Sequence, residues 1–269
     1  MFLVGNVYKM KNEISVIIPV FEVDETLLRN SILSVAAQKQ TPDALILVVK
    51  EKSDDHKLVE KLSKEIEGLN YEIIAHNGNT DFQAQLNLGV KECKTDWFIF
   101  LEQDDELASI WVDNVIKYRS HEPLVTIFLP MILDVTPEGE FINFTNEAVW
   151  ASQFSDELGF LDNAALLRYQ NFNIDGMAVL KEAYMEFGGL KESIKLSFIY
   201  EFLLRMTHKA CSIMVIPKLA YKHVNEREGG LFSKYKKELT LDESRWWLAL
   251  AKKECFHIVD REELYEKKD

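Results

Sequence analysis

Cysteine is scarce: Cys93, Cys211 and Cys255 are the only three in 269 residues, far apart and with no CxxC pair. An odd, sparse set argues against a disulfide scaffold and against a cysteine-built zinc site, and it fits a reducing cytoplasm. A long apolar run is also missing. The longest near the start, Ile14 to Phe21, has eight residues and contains Pro19, too short to cross a bilayer, and no signal-peptide pattern precedes it. Basic side chains are outnumbered, 31 Lys and Arg against 44 Asp and Glu, for a net charge of −13. That balance argues against a phosphate-binding coat but leaves room for a local basic groove. Glycine is absent from Pro19–Thr26, so the phosphate-cradling loop that a nucleotidyltransferase would need after the first apolar run is not there. There is no low-complexity linker and no internal repeat. With 47% apolar and 28% charged residues, the chain suits one large α/β domain or two small ones around a full hydrophobic core.

The first hundred residues alternate apolar runs with amphipathic stretches. Ile14–Val20 is a β-branched run of the kind buried on both faces of a parallel sheet. Asp24–Gln38 puts Leu27, Leu28, Ile32, Val35 and Ala36 on one helical stripe, with Asp24 as the N-cap. Further strands are expected at Ala44–Val49, Tyr71–Ala75 and Trp97–Leu101, and helices at Lys57–Gly68 and Asp81–Cys93. Strands separated by helices predict a parallel sheet with right-handed crossovers, and ligands then sit beyond Val20, Val49, Ala75 and Leu101. In the second half, strands are expected at Val125–Asp134, Glu140–Phe144, Gly176–Leu180 and Ser212–Ile216. Asp156–Gln170 reads as partly helical, Leu196–Lys209 as a helix, and Leu241–Glu266 as one or two more. The organisation expected is an α/β domain over residues 1–230 and a helical extension over 231–269.

Phe98–Glu106, FIFLEQDDE, is the most informative stretch, because an apolar strand delivers Glu102, Asp104, Asp105 and Glu106 where the sheet opens. Clustered carboxylates repel unless a cation or solvent neutralises them, and hard oxygen donors suit Mg²⁺ or Mn²⁺. An acidic helix N-terminus would account for the same cluster.

Several segments together resemble family 2 glycosyltransferases of the GT-A fold, over Ile14 to His223. Ile18-Pro19-Val20-Phe21, with Ser34, Val35 and Gln38 in the first helix, resembles the family's opening strand and helix. Ala84, Asn87 and Gly89 resemble its Ala-x-x-Asn-x-Gly helix, and Phe100 to Asp105 its Phe-Leu-Asp-x-Asp-Asp, the "DXD" motif. Phe187 to Glu192 resembles Val-Gly-Gly-Phe-Asp-Glu, and the helix ending Glu201–Arg205 the acceptor-site helix. The resemblance implies inverting transfer of a hexose from a nucleoside diphosphate sugar, most often a UDP-sugar, with Mn²⁺ or Mg²⁺ stabilising the leaving diphosphate. It implies Pro19, Phe21 and Glu22 at the nucleobase, Glu102 facing the ribose and Asp104 on the metal. Asp105 would substitute if the loop register differs, and His223 would complete the metal shell.

The sequence also departs from that pattern. The family's second-strand Asp-Asp-Gly-Ser is Lys50-Glu51-Lys52-Ser53 here. Glu51 is long enough to accept from a uracil imide, while the lysines also fit a solvated turn. The family's catalytic aspartate sits six residues before the helix arginine, which is Ile199 here, and Ile199 takes no proton. Glu201 is then the first candidate for the base, although its i,i+4 spacing to Arg205 equally fits a buried ion pair. Asp175 is the second candidate, and Asp175-Gly176 also fits an ordinary turn. Glu226–Gly230 fits either a lid over the donor or a plain turn, and Trp246 and Trp247 either stacking on a ligand or packing. The acceptor stays open among glycan, lipid-linked sugar, protein and a hydroxymethylated nucleic-acid base. A flipped base would meet the basic side chains Lys234, Lys236, Lys237, Arg245, Lys252 and Lys253. The missing aspartate at Ile199 keeps a second reading in view, a degenerate relative that binds nucleotide or sugar without transfer.

Overall fold

The β-branched run Ile14–Val20 forms β1, and all seven residues are buried because the strand is paired on both sides. Its neighbours are β2 (Ala44–Lys50) and β4 (Trp97–Phe100), both parallel to it, and β3 (Tyr71–His76) continues the parallel set beside β2. The computed structural model describes residues 14–22, 24–79, 81–147, 159–168, 172–225 and 230–239, together with Asp242, Arg245, Trp246 and Ala249. Alternation along β1 feeds two cores. Ile17 joins Leu86 and Val90 of α3 (Phe82–Glu92) on one face. Val16 and Ile18 join Leu28, Ile32 and Val35 of α1 (Glu25–Ala36) and Val59 of α2 (Asp54–Ser63) on the other.

Asp24 caps α1 as expected, accepting from the Thr26 and Leu27 amides. The second helix starts three residues before the apolar spacing indicates. Ser53 Oγ accepts from the His56 amide at 3.1 Å, and Asp54 and Asp55 favour the first turn through the helix dipole. α3 lies directly on the sheet, since a side chain at Gly89 would set its Cβ 2.6 Å from Ile17 Cγ2 and 2.9 Å from Val48 Cγ2.

The remaining strands are β5 (Glu106–Leu107), β6 (Val125–Val135), β7 (Phe141–Thr145), β8 (Phe160–Leu161), β9 (Ala178–Leu180) and β10 (Ser212–Val224). The sheet order is β3-β2-β1-β4-β9-β6-β10-β5, with β7 on β6 and β8 on β10. β9 runs antiparallel to both its neighbours, whereas β10 runs parallel to β6. The α/β architecture with a mostly parallel sheet is therefore the one expected. The helix Trp111–His121 (α4) was not expected, and no side chain caps its start.

The strand expected to end at Ile216 continues to Val224, and this extension builds the site. Register shifts after Ile216 and Leu219 expel Pro217 and Lys218 as a bulge, so pairing with β6 resumes beyond the proline. The extended end of β10 then pairs with β5, Tyr221 opposite Leu107 and Lys222 opposite Glu106. The acidic loop between β4 and β5 is thereby drawn against the end of β10. Beyond the sheet, the helix Leu231–Glu238 is described, and most of the helical stretch expected over Leu241–Glu266 lies outside the described residues, as does 226–229. Among the described residues no helix is long and apolar enough to cross a membrane.

Candidate active site

Glu102–Asp105 follows β4 at the carboxyl edge of the sheet and is tied down from three directions. Gln103 accepts from the Phe21 amide through Oε1 and donates to the Phe21 carbonyl through Nε2, both at 2.8 Å. Ser31 Oγ donates to the Glu102 carbonyl at 3.1 Å, and the Glu102 amide donates to the Tyr221 hydroxyl at 3.1 Å. Neither Gln103 nor Tyr221 stands out in the sequence. The first fills the variable place of an acidic motif, and the second lies beyond a proline.

Asp105 is fully buried. Its Oδ2 accepts from Tyr221 OH at 2.8 Å and faces His223 Nδ1 at 2.9 Å, and its Oδ1 accepts from the Val224 amide at 2.8 Å. Asp175, also buried, takes a hydrogen bond from Asn173 Nδ2 and sets Oδ2 3.7 Å from His223 Nδ1. Glu102, Asp105 and His223 each bring a ligand atom within 4.8 Å of the others. This group contains Asp105 and His223 of the expected metal set, with Glu102 as its third member. Among the described residues Asp104 is half-buried in the same loop but outside the group.

Burial, reinforced by the charges of Asp175, Asp105 and Asp104, holds Glu102 well above the usual glutamate range. Burial also pushes Asp175 up to about 7; His223 opposes the rise, while Asp105 and Asp134 add to it. Burial works against a charged His223, but Asp105 beside Nδ1, with Asp175 and Glu102 behind it, outweighs that and holds the imidazole well above its ordinary value. The cluster thus has an excess of negative charge that it relieves by keeping protons. Carboxylate oxygens plus an imidazole, short of positive charge, form a donor set that fits Mg²⁺ or Mn²⁺.

Proton linkage gives this fit a measurable sign. An aspartate raised on folding keeps a proton that the unfolded chain has lost, so its stabilisation is present at low pH and falls as pH rises from about 4 to about 7. His223 has the same sign, its contribution being lost as pH rises through its raised folded pKa. Without a cation Asp175 is expected to cost roughly 2–4 kcal/mol across that window. A divalent cation held by this group would add stabilisation that grows from pH 5.5 to pH 7.5, on the order of 1 kcal/mol or more, in paired urea titrations with Mn²⁺ and with EDTA.

Pro19, Phe21 and Glu22 lie at and just beyond the end of β1. Phe21 packs on the core, and Glu22 adopts a left-handed φ of 47°. The Glu22 amide donates to Asp55 Oδ2 at 2.8 Å, and its carboxylate pairs with Lys234 of the helix Leu231–Glu238. Glu51 follows β2, accepts from Asn77 Nδ2 at 2.5 Å and lies 3.6 Å from Lys52 Nζ. Of the basic side chains expected to meet a nucleic acid, Lys234 is thus engaged by Glu22, and Lys252 and Lys253 lie outside the described residues. Trp246 is 47% exposed, and Trp247 lies outside the described residues.

Glu201, the first candidate for the base, is outside the Glu102–Asp105–His223 group and is paired with basic side chains instead. It is fully buried with Oε1 2.7 Å from Arg205 Nε and 3.4 Å from Lys191 Nζ, and its Oε2 accepts from Arg205 Nη2 at 3.0 Å. Arg205 also donates to the Phe187 carbonyl and, at 2.6 Å, to that of Gly189. Asn87 grips the same turn from the other side. It donates to the Leu190 carbonyl at 2.8 Å and accepts from the Leu190 amide at 3.1 Å and from Tyr184 OH at 2.7 Å. Gly189, at φ 59°, lets this joint close, since a Cβ there would fall 2.6 Å from Asn87 Oδ1. The Asn-x-Gly helix, the Gly-Gly turn and the Glu201–Arg205 helix are therefore parts of one structural joint.

A mostly parallel α/β sheet that gathers acids and a histidine at its carboxyl edge is the arrangement expected of the GT-A fold. The family model described as glycosyl transferase family 2 matches residues 15–185, well over half of the chain, and the chain belongs to that family. An uncharacterized glycosyltransferase of Haemophilus influenzae is 25% identical over 138 residues, 50% of this chain and 43% of that protein, so the chain spans less than half of this relative's length. Among solved structures, S. aureus TarS 1–349 in complex with UDP-GlcNAc superposes with a TM-score of 0.66 at 17% identity, over 94% of this chain and 69% of that one. The same TarS fragment in complex with UDP gives 0.59 at 14% identity, over 88% and 78%. These likenesses show the GT-A fold.

Proposed function

We propose that the chain is an inverting glycosyltransferase that moves a hexose from a UDP-sugar to an acceptor hydroxyl, with Mn²⁺ or Mg²⁺ at the Glu102–Asp105–His223 group. The observation that carries this is the convergence of those three residues with Asp175 at the carboxyl edge of β4 and β10. Family membership supports the transfer, and the complexes of TarS with UDP-GlcNAc and UDP support the donor class. Pro19, Phe21, Glu22 and Glu51 then flank the nucleotide on the loops after β1 and β2, with Glu102 and Asp104 beside the diphosphate. When bound, the cation supplies Lewis-acid stabilisation of the leaving diphosphate. Asp175 accepts the acceptor's hydroxyl proton as the new C–O bond forms at the anomeric carbon and the bond to UDP breaks. The chemistry belongs to residues 1–230 and to the cytoplasm, where free thiols such as those of buried Cys93 and Cys211 persist. The acceptor class is a glycan or a hydroxymethylated nucleic-acid base.

A second reading, donor binding without transfer, is favoured by one observation: Ile199 stands where the family has its base, and Glu201 is locked to Arg205. A panel of UDP-hexoses and UDP-N-acetylhexosamines, incubated with the full chain and Mn²⁺, separates the two. The first reading expects UDP release from at least one donor, stopped by EDTA and by Glu102→Ala. Calorimetric binding of a donor with no UDP release, whichever glycan or DNA acceptor is added, establishes the second. Failure of every nucleotide to bind overturns both.

A further inference from the structure

Within the Glu102–Asp105–His223 group we infer that Asp105 is not a ligand of the cation. It is instead the carboxylate that fixes His223 from behind, leaving His223 Nε2 as the ligating atom. The inference rests on the proposed cation at this group and assigns its parts.

Three of the roughly four acceptor positions of the Asp105 carboxylate are already filled, and the side chain is wholly shielded from solvent. Oδ1 takes the Val224 amide at 2.8 Å, and Oδ2 takes Tyr221 OH at 2.8 Å and faces His223 Nδ1 at 2.9 Å. The direction of each proton follows from what each partner can do. A backbone amide only donates. The Tyr221 oxygen already accepts from the Glu102 amide at 3.1 Å, so its own proton is the one directed at Asp105. Asp105 is thus an acceptor towards two neighbours, and the contact to His223 is made by Nδ1–H. That fixes the imidazole with Nε2 turned away from Asp105, so that Nε2 is the nitrogen that would exchange its proton for the cation, the arrangement in which a carboxylate behind a histidine orients a metal ligand. An Asp105 that ligated the ion through Oδ2 instead would compete with the buried Tyr221 hydroxyl and the Nδ1–H for that oxygen.

Tyr221 is the second positioning residue. One hydroxyl joins the Asp105 carboxylate to the Glu102 backbone, so it sets the supporting carboxylate and the loop of a ligating one together. The ring cannot drift, because it is buried against Gly176, where a Cβ would fall 2.6 Å from Tyr221 Cδ2. Gly176, at φ 73°, therefore couples the turn that carries Asp175 to the support of the cation site.

The test is Mn²⁺ binding to the intact chain, read from the electron paramagnetic resonance of free Mn²⁺ with and without UDP. Asp105→Asn and Tyr221→Phe are each expected to weaken Mn²⁺ by roughly 10–100-fold, while Glu102→Gln loses it within the measurable range. Tyr221→Phe keeps the buried ring and serves if Asp105→Asn fails to fold. Nitrogen NMR of His223 gives a readout apart from affinity: Mg²⁺ is expected to shift Nε2 while Nδ1 keeps its proton. A Mg²⁺-induced shift at Nδ1, or loss of Mn²⁺ by Asp105→Asn as complete as by Glu102→Gln, overturns the inference. So do unchanged affinities in both Asp105→Asn and Tyr221→Phe. A wild-type chain that binds no Mn²⁺, alone or with UDP, overturns the proposed cation itself.

Discussion

Asp175→Asn is expected to lower UDP-sugar turnover by about 10²–10⁴-fold while leaving the UDP dissociation constant within a few-fold of wild type. The size follows from what a positioned base contributes when a hydroxyl must lose its proton as it attacks. The choice of residue follows from elimination within the structure. Ile199 has no titratable group, and both carboxylate oxygens of Glu201 are occupied by Arg205. Asp175 is buried beside the cluster and pushed up to about 7, near the value at which a base is present in the right form and still strong enough to take a proton. Asn173 Nδ2 holds one of its oxygens, and Asn146 holds Asn173 by accepting from its amide at 2.9 Å and donating to its carbonyl at 3.0 Å. The side chain is oriented before any substrate arrives. Single-turnover release of UDP checks the prediction. Turnover within three-fold of wild type removes Asp175 as the base, and loss of Mn²⁺ binding in parallel places it on the cation instead.

The part of the fold that was legible in the sequence is the part held by local pattern. β1 to β4 are short apolar runs, Asp24 stands where α1 begins, and the acids at the end of β4 mark the edge where a parallel sheet binds ligands. The details of the site depended on contacts that no local pattern encodes. Which carboxylate of Glu102, Asp104 and Asp105 faces the group is set by Gln103 gripping Phe21 and by Tyr221 holding the Glu102 amide, at sequence separations of 82 and 119. Tyr221 reaches that place because a bulge carries β10 past Pro217. The polar, mixed stretch after that proline reads as a loop when taken alone. Asp175 was visible only as an acid before a glycine, and what raises it above a turn residue is the arrival of His223 from 48 positions further along.

Glu201→Ala is expected to cost about 3–5 kcal/mol of folding stability, the largest loss of any single substitution considered for this chain. The anion is buried between two cations, Arg205 at 2.7 Å and Lys191 at 3.4 Å, and all three side chains are shielded from water. Truncating the glutamate leaves both positive charges in the core. It also releases the Arg205 guanidinium, whose other hydrogens close the Phe187–Gly189 turn. A protein of this length shifts its melting temperature by about 2–4 °C per kcal/mol, so a fall of roughly 6–20 °C is expected. Glu201→Gln keeps the shape and one acceptor for Arg205 and is expected to lose less. The same pair of variants separates a structural glutamate from a catalytic one. A base replaced by glutamine leaves a stable protein that does not turn over. A buried counter-ion replaced by glutamine leaves a less stable protein whose folded fraction turns over at the wild-type rate, measured below its melting transition and normalised to folded protein. A stable, inactive Glu201→Gln would return the base to the helix Phe198–His208 and remove Asp175 from that role.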